Sequence, residues 1–277
     1  MTNIDRRTAL LAALMLPVAM STAARAQVTG DGGASPPPAH DMSAMPAHWT
    51  RPDHVAMLCY PRMTILDLIG PQYMFAGLMG ATNYLVAKNR DPIISDTGVT
   101  MIPTHTFDEV PKDITVLFVP GGTDGTLAAM DDDTTRAFVA DRGSRATYVT
   151  SVCTGSLILG AAGLLKGYQA TSHWAALQSL SEFGATPVDA RIVRDRNRIT
   201  GAGVTAGLDF GLTMLAEMRD RTYAEAVQLM CEYDPKPPFN AGSVHAAPPD
   251  VKALVEAMVV AFPGQVRDVA ASIARRG

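Results

Sequence analysis

From residue 54 onward, short apolar runs alternate with longer stretches of helical period. This is the βαβ pattern of a mostly parallel sheet covered by helices on both faces. Residues 54–59 read as a strand ended by Tyr60-Pro61, and 84–88 as a second. Residues 114–120 and 147–152 are apolar or β-branched enough to be buried central strands. Hairpins are expected over 93–95 and 100–103 around Gly98, and over 191–195 and 198–200. Helical periods cover 68–79 (closed by Gly80), 131–142, 154–165, 173–183, 205–218 and 223–233. Residues 154–165 are apolar nearly all round, so that helix should be buried. Residues 251–275 read as a helical tail broken near Pro263-Gly264; its apolar stretch 255–262 could cover a groove or a partner, and a plain core helix is the preferred reading. The fold class is α/β: one domain over 51–247, a flavodoxin-like sandwich, followed by the tail 248–277.

The first 26 residues differ in kind. Arg6-Arg7, an apolar stretch over 8–20 and Ala24-Arg25-Ala26 have the layout of a secretory signal peptide, and the apolar stretch is too short to span a bilayer. The paired arginines resemble a twin-arginine signal, although Asp5 stands where such signals carry Ser or Thr. A periplasmic protein is expected. Residues 27–50, rich in Gly, Pro, Ala and Ser, read as a flexible leader, with order beginning at His54.

The chain has 277 residues, 47% of them hydrophobic and 18% charged, and three cysteines. Those values exclude a disordered chain and a disulfide-stapled mini-protein. A net charge of −4 gives no basic field for nucleic acid. After removal of the signal, nothing calls for a membrane either, so the expected partner is a small-molecule substrate.

The window carrying the chemistry runs Thr147-Tyr148-Val149-Thr150-Ser151-Val152-Cys153-Thr154-Gly155-Ser156. A β-branched run stops at a cysteine and a small-residue helix starts next. That is the geometry of a nucleophile elbow at the carboxyl end of a strand, where reactive groups of parallel sheets gather. The helix N-terminus is expected to lower the thiol pKa and favour thiolate. Cys59 and Cys231 read as core residues, and whether they pair is left open. Gly121-Gly122, directly after a central strand, leave amides that could form an oxyanion-type pocket with the Thr154 N–H. A tight turn explains the glycines equally well. Asp67 lies in an otherwise apolar run, either as a helix cap or as a partly buried acid able to share a proton with a sulfur. His173 is the available base, although a packed histidine is the commoner outcome. No HExxH, CxxC, GxGxxG or P-loop is present, so neither a metal nor a nucleotide cofactor is expected.

Taken together, Val119-Pro120-Gly121-Gly122, the Cys153 elbow and Thr171-Ser172-His173-Trp174 resemble the ThiJ/PfpI superfamily of the class I glutamine amidotransferase-like fold. The resemblance spans roughly residues 55–243. Within it, Leu66-Asp67-Leu68-Ile69-Gly70-Pro71, residues 201–210, and Pro237-Pro238-Phe239-Asn240-Ala241-Gly242-Ser243 resemble the isonitrile hydratase branch. Much of the superfamily carries Glu where this chain has Asp67, as that branch does. The resemblance implies Cys153 as nucleophile, Asp67 as acid, Thr154 as supporting hydroxyl, and a lesser part for His173. It implies hydration of an isocyanide without a cofactor, and a homodimer. Two other activities use the same cysteine: glyoxalase- or deglycase-like action on reactive carbonyls, and a non-catalytic thiol redox sensor. A branch fused to a DNA-binding helix-turn-helix is not expected, because the residues after Ala247 are too few for that module.

Overall fold

The computed structural model describes residues 45–276; the segment expected to be a signal peptide and most of the expected leader lie outside them. The central sheet is built from β1 (His54–Leu58), β2 (Thr82–Ala87), β5 (His105–Thr106), β6 (Val116–Val119), β7 (Tyr148–Val152), β10 (Ile192–Asp195) and β11 (Arg198–Gly201). Two small satellite pairs are formed by β3 (Ile93–Ile94) with β4 (Thr100–Met101), and by β8 (Gln169–Ala170) with β9 (Thr186–Pro187). The sheet order is β10-β11-β7-β6-β1-β2-β5. Every neighbouring pair is parallel except β10 with β11. The expected second hairpin is therefore the edge of the main sheet, since β11 also pairs with β7, Gly201 opposite Val152.

The helices are α1 (Ile65–Ala76), α2 (Asp124–Asp131), α3 (Asp133–Arg145), α4 (Gly155–Ala161), α5 (Ala206–Met218), α6 (Arg221–Met230), α7 (Pro249–Val259) and α8 (Phe262–Arg276). α1, α5 and α6 cover one face, and α2, α3, α4 and α8 the other. Phe75, Phe118 and Phe210 meet across the first layer, with ring centroids 5.6 to 6.2 Å apart. All three are fully buried, and a contact of this kind adds about 0.5–1.5 kcal/mol beyond area burial. The connections from β1 and β6 leave on opposite faces, so the strand order reverses between them. The carboxyl ends of the strands at such a reversal are the place where open α/β sheets bind ligands.

Several expected elements shift. The helix expected over 131–142 is α3, which starts two residues later, where Asp132, extended at ψ 110°, caps it by accepting the Thr135 N–H at 2.9 Å, and runs to Arg145; α2, which ends at Asp131 just before it, has no counterpart among the expected elements. The helix expected over 68–79 starts three residues earlier and stops at Ala76. That expected over 154–165 ends at Ala161, before Gly163 turns at φ +78°. Residues 174–183 wind as a 3-10 helix rather than an α-helix, closed by Gly184 at φ +71°. Order begins before His54. Ala47–Thr50 form a 3-10 turn because the Trp49 indole donates to Asp220 at 2.6 Å and packs edge-on against Tyr223. In the tail, the break falls between α7 and α8, while Pro263 sits in the first turn of α8, where proline is tolerated. α7 is not a core helix: none of its residues is buried, and Leu254 and Met258 are exposed.

Candidate active site

Three connections bring the site together. The one from β1 starts α1 and carries Asp67 in its first turn. The one from β6 supplies Gly121 and Gly122, and the one from β7 supplies Cys153 and Thr154. Asp67 is fully buried, and Cys153 and Thr154 are each 5% exposed.

Cys153 has φ +54°, a left-handed conformation that a non-glycine residue adopts only where its surroundings impose it. Here they do. Its N–H is shared between the carbonyls of Gly201 and Ala202, both at 3.0 Å. Its carbonyl accepts the hydroxyls of Ser156 and Ser172, both at 3.1 Å. Gly155 follows because the elbow presses on β6, where a side-chain carbon would strike the Val119 carbonyl. The backbone N–H groups of Thr154 and Val204 face the sulfur closely enough to favour its charged form. Val204 escaped sequence reasoning; the small-residue run Gly201-Ala202-Gly203 after a strand was its only trace.

Asp67 Oδ2 accepts the Gly121 N–H at 3.1 Å. Gly121 has to be glycine: a Cβ there would lie 2.6 Å from the Thr154 nitrogen and 2.8 Å from Asp67 Oδ2. Asp67 Oδ1 is buried without a donor in normal hydrogen-bond geometry, but the Cys153 thiol is near enough to ease its charge. Burial pushes the Asp67 carboxyl up to about 7, against the opposing pull of Cys153 and the Gly121 amide. The same burial, and then the Asp67 charge, hold the Cys153 thiol well above its ordinary value. This reverses the expected lowered thiol pKa. α4 has only seven residues, and the amides of Thr154 and Val204 do not outweigh desolvation and an adjacent carboxylate. The resting site thus holds a neutral thiol beside an acid that is half ionised near neutrality.

The Thr154 hydroxyl is fully engaged. It donates to the Gly122 carbonyl at 2.5 Å and accepts the Gly122 N–H at 2.8 Å. It also meets the Thr126 hydroxyl at 2.9 Å. The Gly121 and Gly122 amides that sequence reasoning set aside for developing charge are, in the resting site, bonded to Asp67 and Thr154. The amides facing the sulfur are those of Thr154 and Val204.

His173 lies one residue beyond Ser172 and close to Gly203, where a Cβ would come 2.7 Å from its ring. Its Nδ1 accepts the Ala175 N–H at 3.3 Å, and burial lowers its pKa. Among the described residues no hydrogen bond joins it to Cys153 or Asp67. Cys59 lies just past the end of β1 rather than within it, buried, and Cys231 caps α6, partly exposed. All three cysteines are free thiols.

Residues 53–217 match the family model described as DJ-1/PfpI family. An isonitrile hydratase from Pseudomonas putida is 46% identical over 194 residues, which are 70% of this chain and 84% of that protein. A THiJ/PfpI family protein from Pseudomonas syringae, known from its crystal structure, superposes with a TM-score of 0.81 at 60% identity, covering 86% of this chain and 97% of that one. A deglycase from Thermococcus kodakarensis is 30% identical over 136 residues, 49% of this chain. With the α/β sandwich and a cysteine elbow at the end of β7, the chain belongs to the DJ-1/PfpI family.

Proposed function

We propose that this protein adds water to an isocyanide and releases an N-substituted formamide. The observation that carries the reading is the buried Asp67–Cys153 pair, a neutral thiol beside a carboxyl that burial has made a better proton acceptor than an ordinary aspartate, inside a site nearly closed to water. The likeness to the Pseudomonas putida isonitrile hydratase supports it. The terminal carbon of R–N≡C is divalent and accepts a nucleophile and a proton at one atom. Asp67 takes the Cys153 proton, the sulfur bonds to that carbon, and Asp67 returns the proton to it, leaving the thioimidate R–N=CH–S–Cys153. Asp67 next draws a proton from water as the oxygen attacks the same carbon and passes it to the nitrogen, leaving R–NH–CH(OH)–S–Cys153. Collapse breaks the C–S bond, returns the proton to Cys153 and frees R–NH–CHO. The Thr154 and Val204 amides that face the sulfur steady its charge as it attacks and leaves. No cofactor enters the balance.

The test mixes the purified protein with a simple alkyl isocyanide and follows loss of the isocyanide infrared stretch and appearance of the formamide. Turnover is expected from the wild type and none from Cys153→Ala. A wild type without turnover would overturn the proposal and move carbonyl deglycation, which requires a proton shuttle such as His173, to the front.

The same reading includes a periplasmic homodimer. The export pattern of residues 1–26 supports the first part, and N-terminal mass spectrometry showing an uncleaved chain would remove it. Leu66, Ile69 and Tyr73, an exposed apolar stripe on α1 beside Asp67, support the second, and sedimentation at the monomer mass would remove that.

A further inference from the structure

The Thr154 hydroxyl belongs to a longer chain of buried groups that the mechanism does not use. Thr126, on α2, is fully buried, and its Oγ1 lies 2.9 Å from Thr154 Oγ1 and 3.2 Å from the Tyr60 hydroxyl. Tyr60 is 5% exposed and donates to the Pro120 carbonyl at 2.8 Å. Three hydroxyl protons serve this chain. That of Thr154 goes to the Gly122 carbonyl at 2.5 Å and that of Tyr60 to the Pro120 carbonyl at 2.8 Å. The proton of Thr126 is left to tie the two hydroxyls together, and Thr154 is the nearer of them.

Both ends of this chain hold the strand-end loop that faces Asp67. Tyr60 grips Pro120 and Thr154 grips Gly122, and between them Gly121 points its amide at Asp67 Oδ2. There is no slack, because a Cβ at Gly121 would already lie 2.7 Å from Thr154 Oγ1. Without the Thr126 hydroxyl, Thr154 keeps its bonds to Gly122 but loses its third polar partner, and Tyr60 keeps only the Pro120 carbonyl.

We propose that Thr126, with Tyr60 behind it, is a positioning residue: acting through Thr154, it sets the 120–122 loop and so holds the Gly121 amide against the Asp67 carboxylate. Thr126 touches no reacting atom. Its removal lets the Gly121 amide drift from the carboxylate, so the Asp67 ionisation moves to higher pH.

Two measurements on the full chain test this. The first is turnover of the alkyl isocyanide by Thr126→Val. It should show a kcat about 10-fold lower with KM within about twofold, since small misplacement of reacting groups falls on the chemical step. This arm rests on the hydratase reading. The second does not: the rate at which iodoacetamide alkylates Cys153 is followed by peptide mass spectrometry against pH, with the partly exposed Cys231 as internal reference. The wild-type profile should bend near the Asp67 value of about 7. In Thr126→Val the bend should move up by about half a unit or more. Thr126→Ser, which keeps the hydroxyl, should restore both readouts, and Tyr60→Phe should move them less, in the same direction. A valine variant with the wild-type bend and kcat, or one less stable with an unmoved bend, overturns the proposal and leaves Thr126 an ordinary core threonine. If Thr126→Val does not fold, Tyr60→Phe decides, and an unmoved bend there is equally fatal. Should no isocyanide turn over while the bend still shifts, the hydratase reading fails and the positioning role stands.

Discussion

Two cysteines sit just past the carboxyl ends of strands in the same sheet, Cys59 after β1 and Cys153 after β7, and both are almost wholly buried. Burial raises both thiols: Cys59 is pushed up to about 12, and Cys153 well above its ordinary value. Position and burial therefore do not separate them. Their neighbours do. Cys59 has ordinary backbone, with its N–H on the Val86 carbonyl, and its thiol faces the Met57 carbonyl at 3.5 Å. Cys153 is held at φ +54° by two backbone carbonyls and two serines, has two amides facing its sulfur, and has a buried carboxyl beside it. On the proposed mechanism, what would make one strand-end thiol a nucleophile and leave the other inert is a proton acceptor buried beside it and a backbone held in the elbow conformation.

The largest test of that contrast removes each thiol in turn. Cys153→Ala should reduce turnover to the uncatalysed rate. Cys59→Ala should leave kcat within about twofold and cost about 1–2 kcal/mol of stability for the small void. If Cys59→Ala abolished turnover while folding normally, the contrast would collapse.

Asp67→Asn comes next and has two signatures. Loss of the proton carrier should lower kcat by roughly 10²–10⁴-fold. Stability should respond in the opposite sense. The folded-state pKa of Asp67, about 7, lies above the unfolded value of about 3.9. Its contribution is thus whole below pH about 4 and is lost as pH rises through about 7, on the order of 4 kcal/mol at most. Urea unfolding at pH 5 and pH 9 should show the wild type losing more stability across that range than Asp67→Asn. Equal losses would mean that Asp67 is not the buried acid described here. In the wild type, kcat/KM should rise through pH about 7 as Asp67 ionises and becomes able to take the thiol proton.

The parts of this site that were legible in the chain are those written in contiguous residues. A β-branched run stopping at Cys153 before Gly155-Ser156 states its own geometry, and an Asp within Ile65-Leu66-Asp67-Leu68-Ile69 stands out, though the run alone fits a helix cap as well as a buried acid. Paired glycines after an apolar strand likewise announce a close approach. What stayed hidden depends on contacts between distant segments. Val204 reaches the sulfur only because β11 pairs with β7, and the hydroxyl chain through Tyr60 and Thr126 exists only once β1 and α2 meet. The pKa of Cys153 was misjudged for the same reason, since a helix N-terminus is visible locally whereas the Asp67 charge and the depth of burial are not. α7 carries Val251, Leu254, Val255 and Met258 at core-helix spacing, and yet the fold leaves it outside. Periodicity reports an apolar face without reporting what meets it.

The smallest expected effect is the sharpest on what holds the elbow. Ser172, 2% exposed, donates to the Cys153 carbonyl from the loop that carries His173, and Ser156 donates to the same atom from α4. Ser172→Ala leaves that carbonyl one donor, so the stability loss should be about 0.5–1.5 kcal/mol. The turn keeps its two backbone carbonyls and its other serine, and the sulfur keeps its amides and its acid, so kcat should fall only about 3- to 10-fold, by the logic of slight misplacement. Paired denaturation and turnover measurements separate the outcomes. A loss as deep as that of Asp67→Asn would mean that Ser172 moves a proton as well as holding a carbonyl, and the difference between Cys153 and Cys59 could no longer be assigned to Asp67 alone. A loss confined to stability would show the elbow to be over-determined, held at φ +54° by enough bonds that any single one can go.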